Sequence, residues 1–368
     1  MAARLSGHEL SDLCLGKPPL RSLSVADTVA DALSALKRLD DTFLTVWTCH
    51  HSFLTKHTTA ACASASCTCI AKICMVDIIC FLSKPHNLSA PAPALHSPLS
   101  ALVPDCSPLV RHLPPSASLV EAIDVMYEGV QNLVIPIATG KGNKNNKGTV
   151  HNDNTTYCWL SQEDVFRYLL NSIGVFSPMP ANPINTLGVI DTHNLFAVGY
   201  DDPASSALDL LALSLIYQSS VAILDPNGKF VAEISPFRLN SCDDALVPAL
   251  AVLSAGDFTS YIDCAGPPED LLLLVDERLH HRNLRHHHYS SSSSSGKHCK
   301  HAGYPGRAAR RSEAIVCYRW SSLVAVMIQA LAHRVSYVWV VEEDGTLTGI
   351  VTFQAMLKVF RDHLKSIS

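Results

Sequence analysis

Apolar and polar positions follow the same order of blocks in the third and last quarters of the chain. The third quarter reads SSVAILDPNGKFVAEISPFRL over 219–239, and the last reads SYVWVVEEDGTLTGIVTFQAML over 336–357. Each block is an apolar strand, an acidic turn that ends in glycine, a second apolar strand, a serine or threonine, and an amphipathic helix. The turns at 225–228 and 343–345 are therefore predicted to close β-hairpins.

Apolar stripes at helical spacing precede each predicted pair of strands. In the second half of the chain the stripes are Leu208, Leu211 and Leu215, then Val324, Ile328 and Leu331. In the first half they are Val29, Leu33 and Leu36, then Leu119, Ile123, Met126 and Val130. The first-half strands that follow are 43–47 with 71–74, and 132–137 with 157–161. The sequence therefore predicts an α/β (α+β) chain of four βαββα units.

Polar low-complexity segments interrupt these units. Two of them, about 52–68 and about 140–156, fall at the same place, between the two strands of a predicted hairpin, where insertions are tolerated. Since a unit of about 50–60 residues cannot bury its sheet alone, the units are expected to pair into two modules. The predicted boundaries are 13–86 for unit one, 87–108 for a Pro-rich extended connection, 109–175 for unit two, 190–243 for unit three, 244–279 for a helical connection, 280–312 for a disordered His/Ser/basic insert, and 313–368 for unit four.

Composition and charge limit the kinds of partner and the cellular location that are expected for this chain. The 368 residues are 48% hydrophobic and 17% charged, and the net charge of −5 gives no reason to expect nucleic acid or a membrane surface as partner. Glu9 and Asp12 argue against a signal or transit peptide, and the longest apolar run, 70–82, is too short to cross a bilayer and includes Lys72 and Asp77. A cytoplasmic location is predicted, with the nucleus as an alternative.

The thirteen cysteines are scattered, and without a secretory signal they are interpreted as reduced thiols, mostly buried. A metal site of this kind usually has two Cys pairs, and Cys67-x-Cys69 has no second pair. These residues are therefore interpreted as part of a loop, and no metal site is predicted. The His-rich part of 280–312 is interpreted as a disordered tract, with adventitious zinc or nickel binding as the weaker alternative. No nucleophile elbow, P-loop or dinucleotide-binding glycine motif is found, so no catalytic residue and no enzymatic activity are predicted.

The segment Gly349-Ile350-Val351-Thr352, preceded by HRVSYVWVVEEDG at 333–345, resembles the CBS domain. Four copies in one chain resemble the gamma regulatory subunit of AMP-activated kinase and its relatives, and LCLGKPPLRSLSVADTVADALSALK at 13–37 resembles plant proteins built only of CBS domains. The resemblance implies two tandem CBS modules in a non-catalytic regulatory protein with no required cofactor. It also implies clefts for AMP, ADP, ATP or S-adenosylmethionine, a protein partner such as a kinase complex, and a homodimer through the modules as a candidate assembly.

In the CBS pattern, Gly-h-h-Ser/Thr-x-x-Asp (h, apolar) begins the last helix of a repeat. The Asp accepts hydrogen bonds from the ribose hydroxyls, and the Ser or Thr and the helix N-terminus face the phosphate. Carried onto this chain, the candidate ligand-binding residues are Ser161 with Asp164 in unit two, Asp77 in unit one, Ser235 with Arg238 in unit three, Thr352 in unit four, and the basic pair His333-Arg334. Both contact residues are present only in unit two.

Several of these residues also have a purely structural interpretation. Ser161 and Asp164 fit a capping box, Ser235 fits an N-cap followed by proline, and His333-Arg334 fits the basic end of a helix. The alternative function is therefore a degenerate CBS scaffold that binds proteins without nucleotide. A redox-linked interaction module is a third reading, suggested by the cysteine count alone.

Overall fold

Most of the chain outside the low-complexity inserts is described by the structure, which is a computed structural model. The described residues are 8–38, 42–49, 52–54, 67–103, 109–137, 149, 151, 155–240, 242, 244–262, 267–282 and 314–366. Most of the predicted inserts 52–68, 140–156 and 280–312 lies outside these residues, so their predicted disorder stays a prediction.

Four three-stranded sheets form the framework, one in each predicted unit. In each sheet the first strand runs parallel to the second, and the second pairs antiparallel with the third. The strands are β1 (Ser22–Ser24), β2 (Phe43–Trp47), β3 (Cys69–Cys74), β4 (Val110–His112), β5 (Asn132–Ile137), β6 (Thr156–Ser161), β7 (Ala197–Gly199), β8 (Val221–Leu224), β9 (Phe230–Ile234), β10 (Val316–Cys317), β11 (Tyr337–Val341) and β12 (Leu347–Thr352). The predicted fold class is confirmed.

A helix connects the first two strands of each sheet, and another follows the third strand. The helices are α1 (Leu10–Leu13), α2 (Val29–Arg38), α3 (Met75–Leu82), α4 (Pro85–Ser89), α5 (Pro91–Leu95), α6 (Leu119–Tyr127), α7 (Gln162–Asn171), α8 (Leu208–Tyr217), α9 (Pro236–Leu239), α10 (Leu246–Val252), α11 (Ala255–Tyr261), α12 (Glu269–His281), α13 (Leu323–His333) and α14 (Phe353–Ser366). Among the described residues, each helix falls short of the length and apolarity that a bilayer crossing requires.

The buried face of α13 differs from the predicted one. Val326 and Met327 are fully buried, whereas Ile328 is 50% exposed. The sequence LVAVMIQALAH is apolar on nearly every side, so helical spacing alone fits more than one stripe. The prediction of a helix was right, and Leu331 of the predicted stripe is buried, but Ile328 is exposed and Val324 is only partly buried, because packing against the neighbouring helix selects the face.

Alanine substitutions on α13 test this assignment. Met327→Ala is expected to lower the free energy of unfolding by about 2–5 kcal/mol, because it leaves a cavity in a packed core. Ile328→Ala, the adjacent control, is expected to cost less than about 1 kcal/mol, since half of the side chain already contacts solvent. Urea denaturation of both variants measures the difference, and equal losses would contradict the assignment.

The described part of the Pro-rich connection, 87–103, is largely helical rather than extended, which corrects the prediction for that part of 87–108. Pro85 and Pro91 each stand in the first turn of a short helix, where proline costs no hydrogen bond. A 3-10 turn follows at Leu99–Leu102, and Leu99 is fully buried, with its N–H donating to the carbonyl of Asp27 at 2.8 Å. The connection therefore packs on the first repeat, and its apolar residues offset the cost of ordering it.

The predicted disordered insert at 280–312 begins too early. His280 and His281 belong to the last turn of α12, where basic side chains interact favourably with the helix dipole. Residues 283–312 lie outside the described part of the chain.

The repeats contact each other in two ways. Sheets meet between repeats one and two, where the Leu20 N–H donates to Tyr157 O at 2.8 Å, and between repeats three and four, where the Phe230 N–H donates to Gly345 O at 2.9 Å. Helices provide the contacts between the two pairs: α3 of repeat one contacts α8 of repeat three, and α6 of repeat two contacts α14 of repeat four. One large core is therefore shared by repeats one and three, and another by repeats two and four. We use the word cleft for the contact region between the two sheets of each pair.

Candidate functional site

The start of α7 is a complete capping box. The Ser161 hydroxyl accepts from the Asp164 N–H at 3.3 Å, and Asp164 Oδ2 accepts from the Ser161 N–H at 2.8 Å and from its hydroxyl at 2.7 Å. Ser161 and Asp164 therefore form the helix cap that their structural interpretation predicts. The cap engages one carboxylate oxygen of Asp164 and leaves the other for a different partner.

That second oxygen is held by a residue from the N-terminal segment. Lys17 Nζ lies 2.7 Å from Asp164 Oδ1, and both side chains keep roughly a quarter of their surface exposed. The segment is fixed to the second repeat through α1, whose Leu10 N–H donates to the Ala117 carbonyl. Both oxygens of Asp164 thus have partners, and the partner of Oδ1 is a partly exposed ammonium group.

The cleft between repeats one and two contains a lysine between two aromatic rings. Lys72 Nζ lies 4.7 Å from the centroid of Phe43 and 5.9 Å from that of Trp159. Burial lowers the pKa of the Lys72 ammonium, while the charges of Asp77 and Glu163 oppose that shift. These two acidic residues come from the first turns of α3 and α7, so both helix starts face the same cation.

Asp77 acts as a helix cap in the first repeat. Its Oδ2 accepts from the Cys74 N–H at 2.7 Å. Burial raises the pKa of the Asp77 carboxyl, against the effect of the hydrogen bonds from Cys74. Cys74 stands where the family pattern has serine or threonine, so this helix start keeps its acid without a hydroxyl beside it.

Between repeats three and four, the corresponding place holds a buried glutamate. Glu233 Oε2 accepts from the Trp339 indole N–H at 2.6 Å and from the Tyr337 hydroxyl at 3.0 Å. The pKa of Glu233 is raised overall, because the effect of burial exceeds the opposite effect of the hydrogen bonds from Trp339 and Tyr337. The candidate Ser235 points its hydroxyl at Tyr337 Oη, 2.9 Å away, and makes no side-chain cap. Arg238 lies in the four-residue α9, and its charge acts on Glu233.

The remaining candidates lie in the fourth repeat. Thr352 Oγ1 accepts from the Ala355 N–H at 3.3 Å and so caps α14. His333 is the last residue of α13, and Arg334 follows in the left-handed conformation with φ of 58°. Both side chains are exposed. This geometry is that of a helix C-terminus, and the phosphate role of the basic pair stays a prediction.

Comparison with known proteins adds the family. A family model described as "CBS domain" matches residues 321–362. The whole chain aligns with CBS domain-containing protein CBSX5 of Arabidopsis thaliana, with 43% identity over 400 residues and full coverage of both chains. This chain belongs to the CBS-domain family. The resemblance inferred from the sequence is thereby confirmed.

Two further similarities concern proteins with kinase-related names. The SNF1-related protein kinase regulatory subunit gamma-like PV42b of Arabidopsis thaliana is 20% identical over 314 residues, covering 81% of this chain and 77% of that one. The crystal structure of protein MJ1225 from Methanocaldococcus jannaschii, a candidate archaeal homologue of g-AMPK, superposes with a TM-score of 0.55 at 14% identity and covers 96% of this chain and 100% of that chain. The structural similarity shows the four-repeat CBS fold.

The two CBS modules differ in the residues that line their inner clefts. In the first, Lys17 pairs with Asp164, and Lys72 lies near Trp159 and the charge of Glu163; the sequence did not identify Lys17, Lys72 or Trp159 as site residues. The second replaces them with the network around Glu233. Lys72, Trp159 and Glu233 occupy the same position, two residues before the N-cap residue of the helix that follows the third strand of their repeat. Charged residues at a core position of an apolar strand, Lys72 and Glu233, were the signal that could have revealed both clefts.

Proposed function

We propose that this CBS-domain protein is a non-catalytic regulatory or adaptor subunit whose first module responds to an adenosine-containing ligand. The main observation in support is the Asp164 carboxylate, which is partly exposed at the start of α7 beside Ser161 and Lys17. Of the four repeats, only the second has both the hydroxyl and the acid of the CBS nucleotide pattern. AMP, ADP, ATP and S-adenosylmethionine are the candidate ligands, and no cofactor is required.

The chemistry of the cleft suits a nucleoside with an anionic group. A carboxylate is an acceptor only, so Asp164 can take both hydrogens of a ribose diol once Lys17 releases Oδ1. The released ammonium of Lys17 and the N-terminus of α7 then favour a phosphate nearby. In this mechanism Lys17 occupies the site in the absence of ligand and binds the ligand's anionic group in its presence.

The second module is assigned a structural role. A buried carboxylate, Glu233, stands at its centre and is hydrogen-bonded by Tyr337 and Trp339. A negative charge at this place opposes an anionic ligand, and Tyr337 and Trp339 already donate their hydrogen bonds to Glu233. We therefore assign the candidates Ser235, Arg238, Thr352, His333 and Arg334 a smaller part in binding than Ser161, Asp164 and Asp77.

The proposed partner is a protein, with a kinase complex as the first candidate because of the similarity to the gamma-like subunit. Ligand in the first module would change the surface offered to that partner, and the transmitted energy cannot exceed the difference in ligand affinity between the two states. A homodimer through the CBS modules is the other candidate assembly. A cytoplasmic or nuclear location belongs to the same proposal and fits the reduced thiols.

A second candidate function is a CBS scaffold that binds no nucleotide. The observation that favours it is the full engagement of Asp164 by Ser161 and Lys17, which leaves the carboxylate satisfied without ligand. The two functions differ in their response to adenosine compounds, which makes them separable by one experiment.

Ligand-dependent stabilisation of the full chain tests the proposal. With a binding ligand at 100 times its dissociation constant, the free energy of unfolding should rise by about 2.7 kcal/mol. Asp164→Ala should abolish the effect of AMP, ADP, ATP or S-adenosylmethionine. Asp31→Ala is the matched control, because Asp31 forms the same reciprocal cap with Thr28 at the exposed start of α2. Thermal denaturation and isothermal titration calorimetry provide the measurement.

The outcomes separate the two functions. If Asp31→Ala retains the ligand effect and Asp164→Ala loses it, the first module is the nucleotide site. A wild-type chain that none of the four compounds stabilises would favour the scaffold. An effect that survives in Asp164→Ala would place the ligand elsewhere in the fold.

A further inference from the structure

Two cysteines and a histidine converge at the edge of the interface between repeats one and two. The donor atoms of Cys49, Cys67 and His151 all lie within 4.8 Å of one another. Cys49 Sγ is 3.5 Å from His151 Nδ1. Both of these side chains are buried, with 2% and 4% of their surface exposed, and Cys67 is half-buried. Three donors of soft-metal type thus share one small volume.

Strand register brings the two cysteines together. Trp47 pairs with Cys69 at the end of the hairpin between β2 and β3, and the Thr48 N–H continues the ladder by donating to Thr68 O at 3.0 Å. One step further, Cys49 stands opposite Cys67. Directly opposite residues of an antiparallel pair have close Cβ atoms. The cysteines therefore close the base of the first insert.

The histidine arrives from the second insert. Two backbone hydrogen bonds fix this segment: the Thr149 N–H donates to Leu20 O at 2.9 Å, and the His151 N–H donates to Thr155 O at 2.9 Å. Thr149 Oγ1 also accepts from the Ser22 N–H at 2.9 Å. The second insert is thus tied to the first repeat at the point where His151 meets the cysteines.

The imidazole of His151 is held with Nδ1 toward the cysteines. Its Nε2 lies 3.1 Å from Ser22 Oγ, and its ring stacks on Trp47 with centroids 3.9 Å apart. A ligating histidine characteristically uses its other ring nitrogen in such a hydrogen bond, which fixes tautomer and orientation. If Nε2 carries the proton and donates it to Ser22, Nδ1 is unprotonated and its lone pair lies on the side of Cys49 Sγ.

Neighbouring side chains of the same type have other partners. Cys69 Sγ faces the Ala71 carbonyl at 3.5 Å, and His112 Nε2 accepts from the Cys69 N–H at 2.9 Å. The cluster is therefore Cys49, Cys67 and His151, and it differs from the Cys67-x-Cys69 pair that the sequence makes conspicuous.

We propose that Cys49, Cys67 and His151 form a zinc site that joins the two inserts of the first module. Zinc–sulfur and zinc–nitrogen bonds of about 2.3 and 2.0–2.1 Å at tetrahedral angles place donors about 3.5–3.8 Å apart, so the observed cluster needs only a small contraction. Both cysteines bind as thiolates and His151 binds neutral, so two protons are released on binding. Water completes the tetrahedron at the fourth position.

Cobalt(II) and zinc titrations of the full chain test this site. The reduced chain, stripped of metal with a chelator, should bind one equivalent of Co²⁺ with a thiolate-to-metal charge-transfer band, and Zn²⁺ should displace it. Cys49→Ser, Cys67→Ser and His151→Ala should each remove or strongly weaken the band, and Ser22→Ala should lower zinc affinity by about tenfold or more. Cys69→Ser and Cys299→Ser are matched controls that should retain it. Zinc should raise the melting temperature of the wild type and the controls only.

Several results would overturn the proposal. One is a reduced wild-type chain without a charge-transfer band. Another is a band that survives in Cys49→Ser but is lost in Cys299→Ser, which would place the metal in the His-rich segment. A third is a native Cys49–Cys67 disulfide, detected by mass spectrometry, in a chain whose reduced form binds no metal. Metal-free variants that melt like the metal-free wild type, yet bind zinc equally well, would also exclude the site.

Discussion

Replacement of Phe166 by alanine is expected to lower the free energy of unfolding by about 3–5 kcal/mol. Phe166 is fully buried on α7, where it stacks on Phe353 with centroids 4.4 Å apart and meets Phe360 edge-on at 6.3 Å. These partners belong to α14 of the fourth repeat. The substitution therefore leaves a cavity in a core that holds the two modules together, and little around it can collapse to fill the space.

Chemical denaturation of Phe166→Ala measures this loss, and Trp320→Ala is its control. Trp320 is also aromatic but is 50% exposed and stacks on the exposed Tyr318. Its removal is expected to cost less than about 1 kcal/mol. Because repeats two and four share one core, the described repeats should unfold in a single transition. A Phe166→Ala variant as stable as Trp320→Ala would mean that the modules do not depend on this contact.

The second large effect is expected at Glu233. Glu233→Ala should lower the free energy of unfolding by about 2–5 kcal/mol, because it leaves two buried donors, the Tyr337 hydroxyl and the Trp339 indole N–H, without their acceptor. Glu233→Gln is the matched variant, since its amide oxygen can still accept while its volume is unchanged. Urea denaturation at one pH should give the glutamine variant a clearly higher free energy of unfolding than the alanine variant. Equal stabilities would show that the hydrogen bonds contribute little.

The same residue predicts a pH dependence. Burial raises the pKa of Glu233 above its ordinary value of 4.5, so the folded state binds this proton more tightly than the unfolded state. The resulting stabilisation is fully present below pH 4.5 and is lost as the pH rises through the folded-state pKa. The glutamine variant has no such proton, so its stability relative to wild type should increase from pH 4.5 upward. A stability difference that does not vary with pH would contradict the raised pKa.

Much of the fold could be predicted because it depends on local patterns. The strands and the helical stripes recur in each repeat, the glycine turns recur in repeats three and four, and the inserts fall at the hairpins of repeats one and two. The Ser161/Asp164 cap was likewise foreseeable, since both partners lie within one helical turn. The exposed Ile328 and the helical Pro-rich connection were not, because the neighbouring surface decides which apolar residues are buried.

The candidate site was predicted only in part for the same reason. Lys17 reaches Asp164 from a distant segment, and no local pattern connects the two residues. Cys49 lies just before the first insert, Cys67 within it and His151 within the second insert, so their proximity depends on strand register and on the docking of one repeat against another. Sequence spacing therefore drew attention only to Cys67-x-Cys69, where no metal site was predicted.

By itself, the sequence determined the four βαββα repeats and their membership of the CBS pattern, because strand and helix formation depend on residues close in the chain. Only the tertiary structure decided what fills each cleft: Lys72 between aromatic rings in the first module, and Glu233 hydrogen-bonded by Tyr337 and Trp339 in the second. These contacts join residues of different repeats, and their geometry follows from how the sheets pack. The Asp164 pattern indicates where a ligand could bind. A ligand at that place would compete with Lys17 for the Asp164 carboxylate, and only the tertiary structure shows this ion pair.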